Sequence, residues 1–158
     1  MTATYTARVT PTGTPFDEGY QSLIAHSADA NLTFWETIVG APGIDGGDPV
    51  PTTTMHNVTL RTKAARHLKE HTPFQVQGKF NANTIDEIYV LINVEGWITI
   101  TWPDETVYSF PGYFKSFVPG QAQEGNPFEG TIEVIPTGRD PTTKAEAEYG
   151  LKVAGTGT

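Results

Sequence analysis

The chain has 158 residues, enough for one domain with a moderate core, and its 37% hydrophobic and 11% aromatic content is that of a globular protein. Eighteen acidic residues against ten basic ones give a formal charge of -8, which argues against a static nucleic-acid binder, because that role needs a basic footprint. The lack of cysteine excludes disulfides, thiolate metal sites and cysteine nucleophiles.

Sixteen glycines and twelve prolines spread along the sequence predict many turns and short strands. Residues 1–10 lack a basic stretch followed by an apolar run, so no signal peptide is expected, and no apolar stretch is long enough to span a bilayer. The Thr-rich residues 2–10 read as a strand or an arm, 11–19 as a loop, and 20–30 as either a short helix or a strand. Residues 32–39, rich in β-branched and aromatic side chains, predict a strand. Residues 40–54 hold Gly43, Gly46, Gly47, Pro42, Pro49 and Pro51 and little to bury, the pattern of a long functional loop.

Residues 55–62 alternate, with His56, Val58 and Leu60 on one side, and predict a half-buried strand. Residues 63–71 are crowded with basic and histidine side chains and read as a polar turn or short helix. Residues 73–80 predict a strand with Phe74, Val76 and Phe80 on one face. Thr84 followed by Glu87 reads as a capping box, and Ile85, Ile88, Tyr89 and Ile92 then fall at helical spacing, which predicts a helix over 85–93. Residues 97–102 alternate clearly, with Ile98, Ile100 and Trp102 facing the core. Pro103, Asp104 and Glu105 predict a hairpin turn, returned by strands over 106–110 and 112–118. After a loop over 119–126 comes a last strand over 129–136 with Ile132 and Val134 on one face, so residues 1–141 read as one domain and 142–158 as a loosely held polar tail. Many short strands with one helix predict a mainly β fold, a sandwich or barrel with a short flanking helix.

Catalytic and metal chemistry find little support. His67 and His71 would share a helix face with Glu70 between them, but Lys63, Arg66 and Lys69 crowd the segment and oppose a cation. None of Ser22, Ser27, Ser109 and Ser116 sits in a nucleophile elbow, and Gly46-Gly47-Asp48 lacks the residues of a phosphate loop. No cofactor, metal or catalytic residue is assigned, and the chain reads as a non-enzyme. Trp97 lies opposite the apolar face and is the candidate for a subunit contact, ahead of ligand stacking.

The order of a short helix, the hairpin from Trp97 to Phe110, the stretch Gly112-Tyr113-Phe114-Lys115-Ser116-Phe117, and a closing strand ending in Thr137-Gly138 resembles the major tail tube proteins of long-tailed bacteriophages. The long loop before Thr52-Thr53-Thr54 fits as well, whereas Glu105 stands where that family often has glycine. The resemblance implies a β-sandwich with a flanking helix, assembling with copies of itself as six-membered rings stacked into a hollow tube. It implies partners among the other tail proteins (tip, terminator and tape measure), and DNA passing through the lumen without specific binding. It places the protein in the virion tail, after synthesis in the host cytoplasm. On that reading Gly46, Gly47, Asp48, Pro49 and Val50 are expected to make contacts between rings. Two alternatives stand beside it: the secreted tube protein of a contractile secretion system, and a monomeric carbohydrate-binding β-sandwich with Trp97 as its platform.

Overall fold

The computed structural model describes residues 22–29, 32 and 34–152. The expected arm or strand over 2–10 and the loop over 11–19 lie outside the described residues. The body is a mainly β fold with one helix, built on strands β1 (Leu23–His26), β2 (Phe34–Val39), β7 (Phe74–Phe80), β8 (Gly96–Thr101), β9 (Val107–Pro119), β10 (Glu129–Pro136) and β11 (Gly150–Lys152), and helix α1 (Ala82–Leu91). Four two-residue strands, β3 (Ile44–Asp45), β4 (Val50–Pro51), β5 (Lys63–Ala64) and β6 (Glu70–His71), lie apart from this sheet.

Hydrogen bonding runs in the order β1-β8-β9-β10-β7-β2, and β11 also pairs with β9. Each of these pairings is antiparallel. The sheet curls so that its two ends meet, where the Ile24 amide donates to Glu36 Oε1 at 3.0 Å. A carboxylate thus satisfies a donor that an edge strand would otherwise leave to solvent or to another chain.

Alternation places the core as the sequence predicts for β7, β8 and β10. Phe74 and Val76, Ile98 and Ile100, and Ile132 and Val134 face inward, joined by Phe110 and Phe114 of β9 and by Ile88 and Leu91 of α1. Several aromatic rings meet edge to face, as between Phe74 and Phe110 at 5.6 Å and between Phe80 and Phe117 at 5.2 Å, an arrangement their quadrupoles favour. The two strands expected over 106–110 and 112–118 are one continuous strand, β9. Its N-terminal half pairs with β8 and its C-terminal half with β10, so it is shared by both halves of the curled sheet.

The helix begins three residues earlier than the sequence reading. Asn81, not Thr84, is the N-cap: its side chain accepts from the amides of Asn83 at 2.9 Å and Thr84 at 3.2 Å, and Thr84 Oγ1 accepts from the Asn81 amide. Both Asn81-x-x-Thr84 and Thr84-x-x-Glu87 fit the capping pattern, and the earlier one wins because Thr84 is buried in the first turn. Asn81→Ala is expected to lower stability by about 1 kcal/mol, and Asn81→Asp to retain most of it, in urea denaturation.

At the hairpin tip Glu105 takes φ 65, the left-handed conformation glycine prefers, and its amide donates to Trp102 O at 2.9 Å. Asp104 stabilises this three-residue loop by accepting from the Thr106 amide and hydroxyl, bonds that hold its carboxyl below the usual range. The segment 142–158, expected to be loosely held, contributes β11 to the sheet at Gly150–Lys152.

Candidate assembly surfaces

Between β2 and β7 the chain leaves the body. Residues 43–70 are exposed throughout. They form a long hairpin arm whose limbs pair twice, β3 with β6 (Ile44 opposite His71) and β4 with β5 (Val50 opposite Ala64). Polar groups stiffen it: the Thr72 amide donates to Gly43 O at 3.0 Å, Arg66 Nε to Asp48 O at 2.7 Å, and Thr52 Oγ1 to Thr62 Oγ1 at 2.9 Å. At the far end Asn57 Oδ1 accepts from the Thr54 amide at 2.7 Å and closes the turn.

This corrects two expectations. Residues 55–62 are not a half-buried strand but the tip and the start of the returning limb, and Met55 and Val58 are 101% and 97% exposed. Residues 63–71 are not a turn or helix; they supply β5 and β6. The alternation is present, but the segment lies beyond the body and has no face to pack on.

Gly46, Gly47, Asp48, Pro49 and Val50 lie midway along the outgoing limb, all exposed. Gly47 takes φ 76, and its amide donates to Asp45 Oδ1 at 2.8 Å, so the limb kinks there between β3 and β4. Trp97 is half-buried on β8, where its amide receives a hydrogen bond partner in Ser27 Oγ at 3.1 Å. The tryptophan open to solvent is Trp35, 57% exposed on edge strand β2. Sequence reasoning missed it because a strand rich in aromatic residues does not reveal which end of a sheet it occupies.

Charge is unevenly divided. The tip and returning limb, 55–71, hold four of the ten basic residues (Arg61, Lys63, Arg66 and Lys69) and only one of the eighteen acidic ones, Glu70. The rest of the chain is therefore strongly acidic. The same stretch exposes Met55, Val58, Leu60 and Leu68.

A second apolar surface lies on α1. Ile88 and Leu91 face the core, while Ile85 and Tyr89, four apart, form a solvent-facing stripe, with Asp86 and Val90 on the exposed flank beside it. The helix carries no basic residue in its last turn.

The outer side of the β7-β10-β9 surface is mostly polar, with Val118 exposed opposite Thr131. It presents Gln75, Gln77 and Lys79, then Thr131 and Glu133, then Ser116, with Lys115 Nζ 3.4 Å from Glu133. Beside it Glu95 is paired with Lys144 and Arg139, which together hold its carboxyl below the usual range.

A cleft of about 480 Å³ lies at the base of the arm between 67–71 and 146–149. There the His71 ring meets the Tyr149 ring edge to face at 5.6 Å. Among the described residues no three His, Asp or Glu side chains converge as a metal site.

No protein-family model matches the chain, and comparison with curated proteins returns no match. Among solved structures it is similar to a chain in the cryo-EM structure of the anti-feeding prophage (AFP) baseplate, six-fold symmetrised. The TM-score is 0.58 at 10% identity, over 91% of this chain and 99% of that one, a likeness of fold that spans nearly the whole of both.

Proposed function

We propose that the chain is a structural, non-enzymatic subunit of a phage-type tail, polymerising as stacked hexameric rings into a hollow tube. The observation that carries this reading is the arm: a stretch as long as 43–70, wholly exposed and tipped with apolar residues, gains stability when another molecule covers it. The fold shared with a baseplate chain of a six-fold symmetrised particle supports the same reading. The partners are copies of itself and other tail proteins, and the location is the virion. Gly46, Gly47, Asp48, Pro49 and Val50 take part in contacts between rings as the kinked middle of the arm, and Trp97 lies near a subunit boundary.

The outer face of β7, β10 and β9 is assigned to the lumen. Two lysines there, Lys79 and Lys115, offset Glu129 and Glu133, and the remaining groups are mainly amides and hydroxyls, with Val118 an exposed apolar exception. Such a wall lacks the basic footprint that grips phosphates, so DNA slides along it.

A second reading makes the chain a ring subunit of a baseplate or of a contractile secretion tube; the baseplate origin of the similar structure favours it. Negative-stain electron microscopy with light scattering on concentrated protein separates the readings. Tubes of uniform width and open length are expected, and single closed rings that never stack would favour the baseplate. A monomer that binds glycans would overturn both.

A further inference from the structure

The arm and the helix stripe are two exposed apolar surfaces of opposite charge on one chain. We infer that the arm of one copy docks on the outer stripe of α1 in another copy, with Val58 and Leu60 against Ile85, Tyr89 and Val90, and Arg61 and Lys63, the basic residues next to the tip, facing Asp86. The inference rests on the self-assembly reading above and names the contact that holds the polymer together.

Three observations carry it. First, the two surfaces are not engaged with each other within one chain, since Met55 is 101% and Tyr89 81% exposed. Second, their chemistry is reciprocal. The arm tip is apolar with basic residues around it, whereas the stripe is apolar with an acidic residue and sits on a body left strongly acidic by the chain's uneven charge. Apolar anchors provide the burial, and opposite charge sets the partner and the register. Third, the surfaces differ, so the contact is heterologous: each copy offers one arm and one helix, and the pairing repeats without using up its ends. A basic and apolar tip also suits an anionic lipid surface, but a lipid partner leaves the helix stripe uncovered.

The absence of cysteine makes the contact directly testable. Chains carrying Leu60→Cys are mixed with chains carrying Tyr89→Cys and oxidised, beside a control mixture of Leu60→Cys with Lys115→Cys. Each of these positions is exposed, so the variants keep their fold. The Leu60→Cys with Tyr89→Cys pair is expected to cross-link at least about tenfold faster than the control, and Arg61→Glu with Lys63→Glu to remove that advantage. Asp86→Lys, combined with the two arm reversals, is expected to restore it.

Rings or tubes of the unmodified chain in the microscope, together with a cross-link no faster than the control, would overturn this contact and leave the tube reading standing. A fast cross-link in a chain that forms no assembly would keep the contact and remove the tube. Co-sedimentation with vesicles containing anionic phospholipid, without the fast cross-link, would overturn it in favour of a lipid surface.

Discussion

Replacing Phe114 by alanine is expected to lower the unfolding free energy by about 3–5 kcal/mol, a large part of the total stability of a domain this size. The side chain is fully buried on β9. Its ring lies edge to face with His26 of β1 at 5.1 Å, and its backbone oxygen accepts from the Asn93 amide at 3.0 Å just past α1. It also pairs with Val134 across from β10, where the register shifts by a bulge. Four parts of the fold therefore converge on this residue, and none can collapse into the space left by truncation without moving another. Urea denaturation should show a lower midpoint at unchanged slope. Lys115→Ala, next in sequence but exposed and joined to Glu133 at 3.4 Å, should change stability by no more than about 0.5 kcal/mol. Equal effects of the two substitutions would mean that the core is not centred on β9.

The contrast between these neighbours shows what the sequence could reveal. In β7, β8 and β10 alternation of side chains located the strand and told inside from outside, whereas the sequence around β1 fits helix and strand alike and β11 falls in what reads as a loose tail. Residues 55–62 alternate just as well and lie on the arm tip, because alternation reports that a strand has two faces and not that a second layer covers one of them. On α1, Ile85, Ile88, Tyr89 and Ile92 read as one apolar face. In the fold Ile88 turns inward with Leu91, while Ile85 and Tyr89 turn outward. Helical spacing alone could not divide them, since apolar residues run round more than one side of the helix.

The candidate site was legible to a similar degree. Glycine and proline marked the outgoing limb of the arm. The returning limb, with few turn residues and many charges, gave no sign that it belonged to the same hairpin. Pairing between Ile44 and His71, 27 positions apart, is a tertiary fact that local pattern does not encode. The division of charge between arm and body could have been counted from the sequence, but it acquires meaning only once residues 43–70 are known to stand away from the sheet.

His26 gave no signal in the sequence beyond being one of four histidines, and it leads to the second large expected effect, a loss of stability in mild acid. The ring is 1% exposed. Nδ1 accepts from the Ala28 amide at 3.0 Å, which leaves the proton on Nε2 to donate to Val94 O, also at 3.0 Å. Gly96 makes this fit possible, because a Cβ there would lie 2.7 Å from His26 Cε1. The neutral ring thus satisfies one amide and one carbonyl and ties β1 to the segment between α1 and β8. A second proton would sit on Nδ1 and face the Ala28 amide.

Burial pushes the His26 pKa down from 6.5, partly opposed by the hydrogen bond to Val94 O and by the nearby Asp29 carboxylate. Well above pH 6.5 neither the folded nor the unfolded chain holds the extra proton, and the full stability is present. As the pH falls below 6.5 the unfolded chain takes up the proton first, so stability declines, and the decline ends once the pH passes the lowered folded value. Glu95, Asp104 and Asp140, whose carboxyls are also held low, add their losses only in the more acidic carboxylate range. Urea midpoints are therefore expected to fall between pH 7.5 and 5.5 in the unmodified chain. His26→Gln should be less stable at pH 7.5 but much flatter across that window, because it has no proton to gain. An NMR titration of the His26 ring in the unmodified chain provides a check that does not depend on the variant folding. A ring that takes up its proton at or above pH 6.5 while the chain stays folded would remove the basis for this expectation, as would an unchanged pH slope in His26→Gln.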